Sequence, residues 1–310
     1  MKQNSPVGVV PNNEFAKHLK AFPNLTNVAA IDVLEFSNVP SPYISPHDML
    51  SLSKLVDEKS EEYDGIVITH GTDTLAETAY FLDLTLTTQK PVVFTAAMRS
   101  GSELGLDGPR NIVGAVRVAG TSRSVNKGVL VVMNDEIDSA RDVVKSDSGK
   151  TDAFVTPAYG LLGIIDPDKI IYYRESTNLE KITTEDVENC VDIIKCYSGS
   201  DGKFIETSVN SGAKAIVIEA FGRGNVTREM LPAIEKAVEN NIVVVASPGT
   251  YTGRVIPEYG YPGGGNYLQR KGVILGGDLK ATKMRIKLMV LFGKYNDPNK
   301  VKQHLKETIK

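Results

Sequence analysis

The sequence lacks the features that would direct a chain into or across a membrane. No apolar run approaches the roughly 18 residues that a membrane-spanning helix needs. The first residues, MKQNSPVG, lack the apolar core of a secretory signal peptide. An excess of basic charge is missing too, because 35 Lys and Arg stand against 38 Asp and Glu, for a net charge of −3. We therefore predict no membrane partner and no nucleic-acid partner.

Cysteine is nearly absent, which excludes a disulfide framework. Cys190 and Cys196 are the only two cysteines in 310 residues. If the segment between them is a strand, they lie ~20 Å apart at ~3.3 Å per residue, which is too far for a bridge. Reduced thiols are typical of the cytoplasm, and that is the location we predict.

Motifs that would identify a cofactor or a metal are incomplete or absent. The GKT at 149–151 is like the end of a phosphate-binding loop, but Val144 occupies the position of the first glycine that this motif requires. The GRG at 222–224 begins a dinucleotide fingerprint, yet Thr227 stands at the third glycine position. The four histidines lack metal-ligand spacing, and no GxSxG motif occurs. The sequence therefore predicts neither a metal nor a cofactor.

What the sequence does contain is a clear strand–turn–helix stretch at 65–86. Residues 65–69 are a short β-branched run, typical of a strand buried on both faces. From Thr74 onwards apolar residues recur at helical spacing, and Thr74 with Glu77 matches a capping box. The residues between strand and helix, HGTD at 70–73, follow the carboxyl end of a strand. Open parallel sheets bind ligands at that place.

Strands alternate with helices along most of the chain, which predicts an α/β fold with two domains. The larger N-terminal domain, 1–176, would hold a mostly parallel sheet flanked by helices. A linker at 177–190 would lead to a smaller C-terminal α/β domain at 191–310. Helices are predicted to begin after the capping residues Ser45 and Asp107. The predicted strands are 28–36, 65–69, 91–95 and 128–133 in the first domain, and 191–196, 215–219, 242–246 and 272–275 in the second.

The polar residues near predicted strand ends favour threonine chemistry. Thr72 lies beside Asp73, and Lys145 lies in a polar loop. A threonine hydroxyl is a weak nucleophile that needs a base, and a lysine with a lowered pKa can serve. An adjacent carboxylate can hold that lysine's proton or bind the ammonium of a substrate. We predict that Thr72, Asp73 and Lys145 converge at the carboxyl ends of the sheet strands.

The motif around Thr72 also carries a family resemblance. The run ITHGTDTLAETAYFLDL (68–84) resembles the bacterial-type L-asparaginase family, in which THGTDT holds the second catalytic threonine. Similar segments cover nearly the whole chain: FSNVPSPYI (36–44), PVVFTAAMRS (91–100), DGPRN (107–111), NDEIDSARDVVKSDSGKTDAF (134–154), VIEAFGRGN (217–225) and GVILGGDLKATKMRIKLM (272–289). The resemblance implies a two-domain α/β homodimer or homotetramer that hydrolyses L-asparagine to L-aspartate and ammonia.

Position by position, the resemblance assigns roles to five residues. It implies that Thr72 is a catalytic threonine, with Asp73 beside it and Lys145 completing a relay. Asp73 would also bind the α-amino group of the substrate, and Ser41 its α-carboxylate. Asn225, in GRGN, matches an asparagine that approaches the active site of the neighbouring subunit. The implied substrate is a free amino acid, with asparagine preferred over glutamine.

One motif of the family is missing from this sequence. The family's first strand ends in TGGTIA and supplies the first catalytic threonine, but no TGG occurs in the 310 residues. In relatives, a segment resembling MKQNSPVGVVP follows TGGTIA within a mobile lid loop that carries a tyrosine, whereas the first forty residues here contain no Tyr. We therefore expect the chain as it begins at Met1 to fold poorly and to show no useful asparagine hydrolysis, and an added TGGTIA-type strand to restore both.

Two alternative functions stay open. The first is a catalytically inactive homologue that binds amino acids as a sensor or partner protein. The second is the related amidotransferase subunit that releases ammonia from an amide for tRNA-linked glutamate, which normally has an extra N-terminal domain and a partner chain. The joint presence of Ser41, Thr72, Asp73, Lys145 and Asn225 favours the hydrolase.

Overall fold

A computed structural model describes residues 2–4, 8–10, 25, 27–177 and 179–309. The chain divides into two compact units, Met1–Lys181 and Ile182–Lys310. Each unit has its own sheet and its own helices. The predicted α/β fold with two domains is therefore confirmed, while the exact domain and linker bounds stay predictions.

In the first unit, strands alternate with helices as far as the centre of the sheet, and further strands follow. In chain order the elements are β1 Lys2–Asn4, β2 Gly8–Val10, α1 Pro46–Ser60, β3 Ile66–Thr69, α2 Leu75–Thr85, β4 Val92–Thr95, α3 Gly108–Ala119, β5 Val129–Met133, β6 Glu136–Ser139, β7 Val144–Lys145, β8 Phe154–Val155, β9 Gly163–Ile165 and β10 Ile170–Tyr172. Short 3-10 turns lie at Ser41–Tyr43 and Ser122–Ser124.

Six of these strands form one mixed sheet, in the order β10-β9-β6-β5-β4-β3. β3, β4 and β5 run parallel, and β6, β9 and β10 join them through antiparallel pairs, so the sheet is mixed where a mostly parallel one was predicted. Every residue of β4 and β5 is buried, as expected for parallel strands that are covered on both faces. β1 pairs with β2, and β7 pairs with β8, in separate two-stranded sheets.

The predicted strand at 28–36 is wrong, because the structure has neither strand nor helix there. Val28, Ile31 and Leu34 stay between 37% and 57% exposed, whereas the preceding Leu25 packs against α3. Side-chain alternation would put Val28, Leu34 and Phe36 on one face of a strand. Because Phe36 is also 39% exposed, that face is not buried, and the segment lacks the packing that stabilises a strand.

The second unit is a parallel sheet with helices packed on it. Its elements are β11 Val191–Lys195, α4 Lys203–Asn210, β12 Ala215–Ala220, a 3-10 turn at Arg228–Met230, α5 Leu231–Glu239, β13 Val243–Pro248, α6 Gly265–Arg270, β14 Ile274–Leu275, α7 Ala281–Tyr295 and α8 Pro298–Thr308. The four strands are ordered β11-β12-β13-β14 and all are parallel. The strands predicted for this unit are confirmed, whereas the short helices α4 and α6 were not predicted.

The structure bears on two points, membrane-spanning helices and the pairing of the cysteines. Within the described residues, no helix is long and apolar enough to cross a membrane. Cys190 is exposed, Cys196 is buried, and both are free thiols. β11 runs between them, so the predicted separation of the two cysteines is confirmed.

Candidate active site

The turn between β3 and α2 lies at the carboxyl end of a parallel strand. β3 ends at Thr69 and α2 begins at Leu75, so HGTDT at 70–74 connects them. The His70 backbone N–H donates to the Thr95 carbonyl at 3.0 Å, which extends the β3–β4 hydrogen bonding into the turn. The first residue of the turn is thereby fixed to the neighbouring strand.

Lys145 reaches this turn from β7. Its Nζ donates to Thr72 Oγ1 at 3.0 Å and to Asp73 Oδ1 at 2.7 Å. The Lys145 side chain is 21% exposed and that of Asp73 is 61% exposed. An ion pair this open to solvent contributes little to stability, about 0–1 kcal/mol, but it keeps a carboxylate accessible to a ligand. The structure thus brings together the three residues that were predicted to converge.

Ser41 lies against the same turn. It is buried, and it begins a 3-10 turn at Ser41–Tyr43. A Cβ atom placed on Gly71 would come within 2.7 Å of Ser41 Oγ. The missing side chain at Gly71 is therefore what allows the Ser41 hydroxyl to approach the turn so closely.

Thr74 holds Ser41 in place and does not form the predicted capping box. The N-cap of α2 is Thr74, as predicted, but it makes no side-chain capping hydrogen bond. Its Oγ1 donates instead to the Ser41 carbonyl at 2.8 Å. A tertiary partner has replaced the local one, so the capping-box prediction is wrong. Thr74 is a positioning residue that the sequence analysis missed, although its place in the THGTDT motif was a signal.

His70 fastens the turn to α2 from the opposite end. Its Nδ1 lies 2.8 Å from the Gly71 carbonyl oxygen, and because a carbonyl only accepts, Nδ1 carries the hydrogen. Its Nε2 lies 3.1 Å from Thr78 Oγ1. Burial lowers the pKa of His70 below its ordinary value. The imidazole therefore acts as a neutral structural link.

Asn225 belongs to the second unit. It lies in a turn where Phe221 and Asn225 form a short β-bridge, and its Oδ1 accepts from the Gly265 backbone N–H at 3.3 Å. These contacts fix the side chain within its own unit. The predicted role of Asn225 at the site of a neighbouring subunit stays a prediction.

The groups in the first unit match the parts of a polar amino acid. Asp73 offers a carboxylate for an ammonium, Ser41 offers a hydroxyl for a carboxylate, and Thr72 with Lys145 offers a pair between which a proton can move. Among the residues that the structure describes, no cluster of His, Cys, Asp and Glu could hold a metal ion. The arrangement suits proton-transfer chemistry on a small zwitterion.

Comparison with known proteins places the chain in a family. Residues 1–178 match the family described as "Asparaginase, N-terminal", and residues 190–305 match "Glutaminase/Asparaginase C-terminal domain". The L-asparaginase of Bacillus licheniformis is 39% identical over 269 residues, which cover 86% of this chain and 84% of that protein. The probable periplasmic L-asparaginase of Haemophilus influenzae is 35% identical over 295 residues, covering 93% and 83%. The glutaminase-asparaginase of Pseudomonas fluorescens is 33% identical over 289 residues, covering 91% and 78%.

Fold, site and similarity agree on the class of protein, which is a two-domain α/β hydrolase of amide bonds. The chain belongs to the asparaginase family.

Proposed function

We propose that this protein hydrolyses the side-chain amide of L-asparagine, giving L-aspartate and ammonia, once a TGGTIA-type strand supplies the first catalytic threonine that these 310 residues lack. The observation that carries the proposal is the double contact of one lysine, whose Nζ bonds both Thr72 Oγ1 and Asp73 Oδ1. The hydroxyl of Thr72 and the carboxylate of Asp73, both in the turn between β3 and α2, thereby meet the ammonium of Lys145, which comes from β7. The names of the relatives, L-asparaginase and glutaminase-asparaginase, support the same reaction.

In this proposal each residue has one task. Asp73 binds the α-ammonium of the substrate, since its carboxylate is open to solvent on one side. Ser41 binds the α-carboxylate through its hydroxyl. With both ends of the amino acid held, the side-chain amide is directed to Thr72 and Lys145.

Threonine chemistry would proceed by proton transfer between Thr72 and Lys145. In the arrangement described, the lysine donates to the threonine oxygen. The pair can take the proton of the hydroxyl that attacks the amide carbon, which the family resemblance assigns to the threonine of the TGGTIA strand, and pass it to the nitrogen, which leaves as ammonia when the C–N bond breaks. Water then hydrolyses the resulting ester and releases L-aspartate. General acid–base transfer of this kind is worth about 10²–10⁴-fold in rate.

Asparagine is the preferred substrate in this proposal, and glutamine is the expected competitor. The two differ by one methylene, which supports a discrimination of only ~1–3 kcal/mol. One of the relatives is named as acting on both. We therefore expect measurable activity on glutamine as well.

Assembly and location complete the proposal. We propose a homodimer or homotetramer in which Asn225 of one subunit approaches the site of the next, a role supported by the GRGN motif at 222–225. We propose a cytoplasmic location, supported by the free thiols of Cys190 and Cys196.

The test is ammonia release from L-asparagine and L-glutamine by the purified protein with an added TGGTIA-type N-terminal strand, which serves as the parent protein in every activity measurement, and by T72V and K145M made in that parent. Each variant removes one member of the proton-transfer pair, so we expect kcat to fall by about 100-fold or more. K150M is the matched control, because Lys150 is an exposed lysine on the same β7–β8 hairpin, and its kcat should stay near that of the parent protein.

Two results would contradict the proposal. If K145M turned over L-asparagine as fast as the parent protein does, Lys145 would not take part in proton transfer. A parent protein that is stabilised against heat by L-asparagine but releases no ammonia would be an amino-acid-binding homologue.

A further inference from the structure

A cavity of about 440 Å³ lies on the first unit, apart from the residues that form the active site. It is lined by Arg123, Lys127, Tyr172, Tyr173, Arg174 and Glu175. None of Ser41, Thr72, Asp73 and Lys145 lines it. Its volume falls within the roughly 300–1,000 Å³ that is usual for small-molecule sites.

The walls of this cavity are held in place by contacts behind them. The Tyr172 hydroxyl hydrogen-bonds to Oγ of the fully buried Ser124 at 2.7 Å. Arg123 Nη1 donates to the Ile170 carbonyl at 2.9 Å. Arg174 Nε donates to the Leu161 carbonyl at 3.1 Å, and its Nη2 donates to the Gly160 carbonyl. Both guanidinium groups are therefore oriented by the backbone before any ligand binds.

Both arginines keep donors for a ligand. A guanidinium has five N–H donors. Among the described hydrogen bonds, the Arg123 side chain uses Nη1 alone and the Arg174 side chain uses Nε and Nη2. Their remaining donors are available to an acceptor in the cavity, and planar guanidinium groups match the oxygens of a phosphate.

The charge of the cavity is opposite in sign to that of the whole chain. Three cationic side chains and one carboxylate line it, although the chain carries a net charge of −3. Lys127 Nζ lies 4.7 Å from the centre of the Tyr172 ring and 3.0 Å from Glu175 Oε1. The Glu175 side chain is 81% exposed, so it can turn into solvent when an anion enters.

The cavity also offers aromatic surface. Tyr173 is 62% exposed, with no burial to explain a large ring at that position. Burial raises the pKa of Tyr172 to about 12, so its hydroxyl stays neutral at physiological pH and does not repel an anion. Flat rings stack on such side chains with little regard for their exact structure.

We propose that this cavity binds a small molecule that carries both a phosphate monoester and a flat aromatic ring system, as a nucleoside monophosphate does. The guanidinium groups of Arg123 and Arg174 bind the phosphate, and Tyr173 contacts the ring. The site is independent of amide hydrolysis, so it stands or falls separately from the proposed function.

The test is isothermal titration calorimetry of the full chain with three probes: AMP, adenosine and inorganic phosphate. We expect AMP to bind about tenfold or more tightly than either of the others, because only AMP has both parts. R123Q should weaken AMP binding by about tenfold. Y173A should bring AMP binding down to the level of inorganic phosphate. R110Q is the matched control, since Arg110 is an exposed arginine paired with Asp135 and does not line the cavity.

Several outcomes would overturn the proposal. If AMP binds no better than adenosine, the cavity does not recognise a phosphate. If AMP binds no better than inorganic phosphate, the aromatic ring contributes nothing to binding. If R123Q binds AMP as tightly as R110Q does, Arg123 does not contribute to AMP binding. Thermal unfolding checks that R123Q is folded, and Y173A gives an independent answer because its side chain is exposed.

Discussion

At the scale of single residues, Asp73 has two partners to satisfy. In the structure it accepts from Lys145 at 2.7 Å, and in the proposed reaction it also binds the substrate ammonium. A carboxylate has two oxygens and about four lone-pair sites, so both contacts can form at once. Lys145 then holds the carboxylate in the orientation in which it meets the substrate.

We predict that D73N raises KM for L-asparagine by about tenfold or more, because the substrate ammonium loses its counter-charge. Turnover of N-acetyl-L-asparagine, which has no α-ammonium, should change much less. The measurement is kcat/KM for both substrates in both proteins. D64N is the control, since Asp64 is an exposed carboxylate close before β3. An equal loss of kcat/KM on both substrates would mean that Asp73 acts only through its contact with Lys145 and does not bind the α-ammonium.

The sequence was sufficient to locate some of these residues but not others. Thr72 and Asp73 could be placed because they follow a β-branched parallel strand, and such sheets bind ligands at the carboxyl ends of their strands. The strand itself lies at the sheet edge and is only half-buried, so the prediction that it is buried on both faces was wrong. Lys145 lies on a two-residue strand, too short for periodicity to place it, so its role rested on its residue type in a polar loop and on the family resemblance. The contact of Ser41 with Gly71 joins two segments that are far apart in the chain, and no local pattern encodes such a contact.

At the scale of secondary structure, periodicity worked where strands are buried on both faces. β5 is a continuous apolar run and β13 is apolar except for Ser247, and both are buried throughout. Helix starts were also found, but their capping contacts were not always local. Ser45 forms the capping box with Asp48, whereas the Asp107 side chain accepts from the backbone N–H groups of Met98 and Arg99 instead of capping α3. Tertiary partners compete with caps, and the sequence does not reveal them.

The turn between β3 and α2 also contains His70, a titratable residue, which predicts that the stability of the protein depends on pH. Burial lowers the pKa of His70 below its ordinary value of 6.5. As the pH falls through 6.5, the unfolded chain takes up a proton at this position before the folded chain does. The free energy of unfolding therefore decreases with falling pH in the window between 6.5 and the lower folded-state pKa.

We predict that H70Q flattens this dependence, because glutamine does not titrate. The measurement is the melting temperature of both proteins at about pH 7.5 and about pH 5.5. The difference between the two pH values should be smaller in H70Q than in the parent protein. H47Q is the control, since His47 is an exposed histidine on α1. If the melting temperature of H70Q and that of the parent protein fell equally between the two pH values, His70 would not be the source of the pH dependence.

At the scale of the whole molecule, the proposed role of Asn225 in a neighbouring subunit has a consequence that can be measured. Ser41, Thr72, Asp73 and Lys145 belong to the first unit, and Asn225 belongs to the second. If Asn225 serves a neighbouring subunit, each site in a dimer takes its first four residues from one copy and its asparagine from the other. Residues from two copies then complete each site, and a two-fold symmetric dimer has two such sites.

This arrangement predicts complementation between two defective subunits. We expect N225A and K145M each to lose most of their activity when they are made alone. In a mixed dimer, one site carries both defects and the other carries neither. Once the mixed dimers are separated from the two homodimers, one of their two sites is intact, so about half of the parent activity per dimer should return. The measurement is ammonia release from L-asparagine by dimers purified through two different affinity tags, one on each subunit.

The control for this experiment is the pair T72V and K145M. Both residues belong to the same unit, and Lys145 Nζ bonds Thr72 Oγ1 within a single chain. A mixed dimer of these two variants has one defect in each site, so no activity should return. Recovery in the N225A pair together with no recovery in the T72V pair is the pattern that only a shared site produces. If neither pair regains activity, Asn225 acts within its own chain or not at all, and the proposed sharing of sites between subunits is wrong.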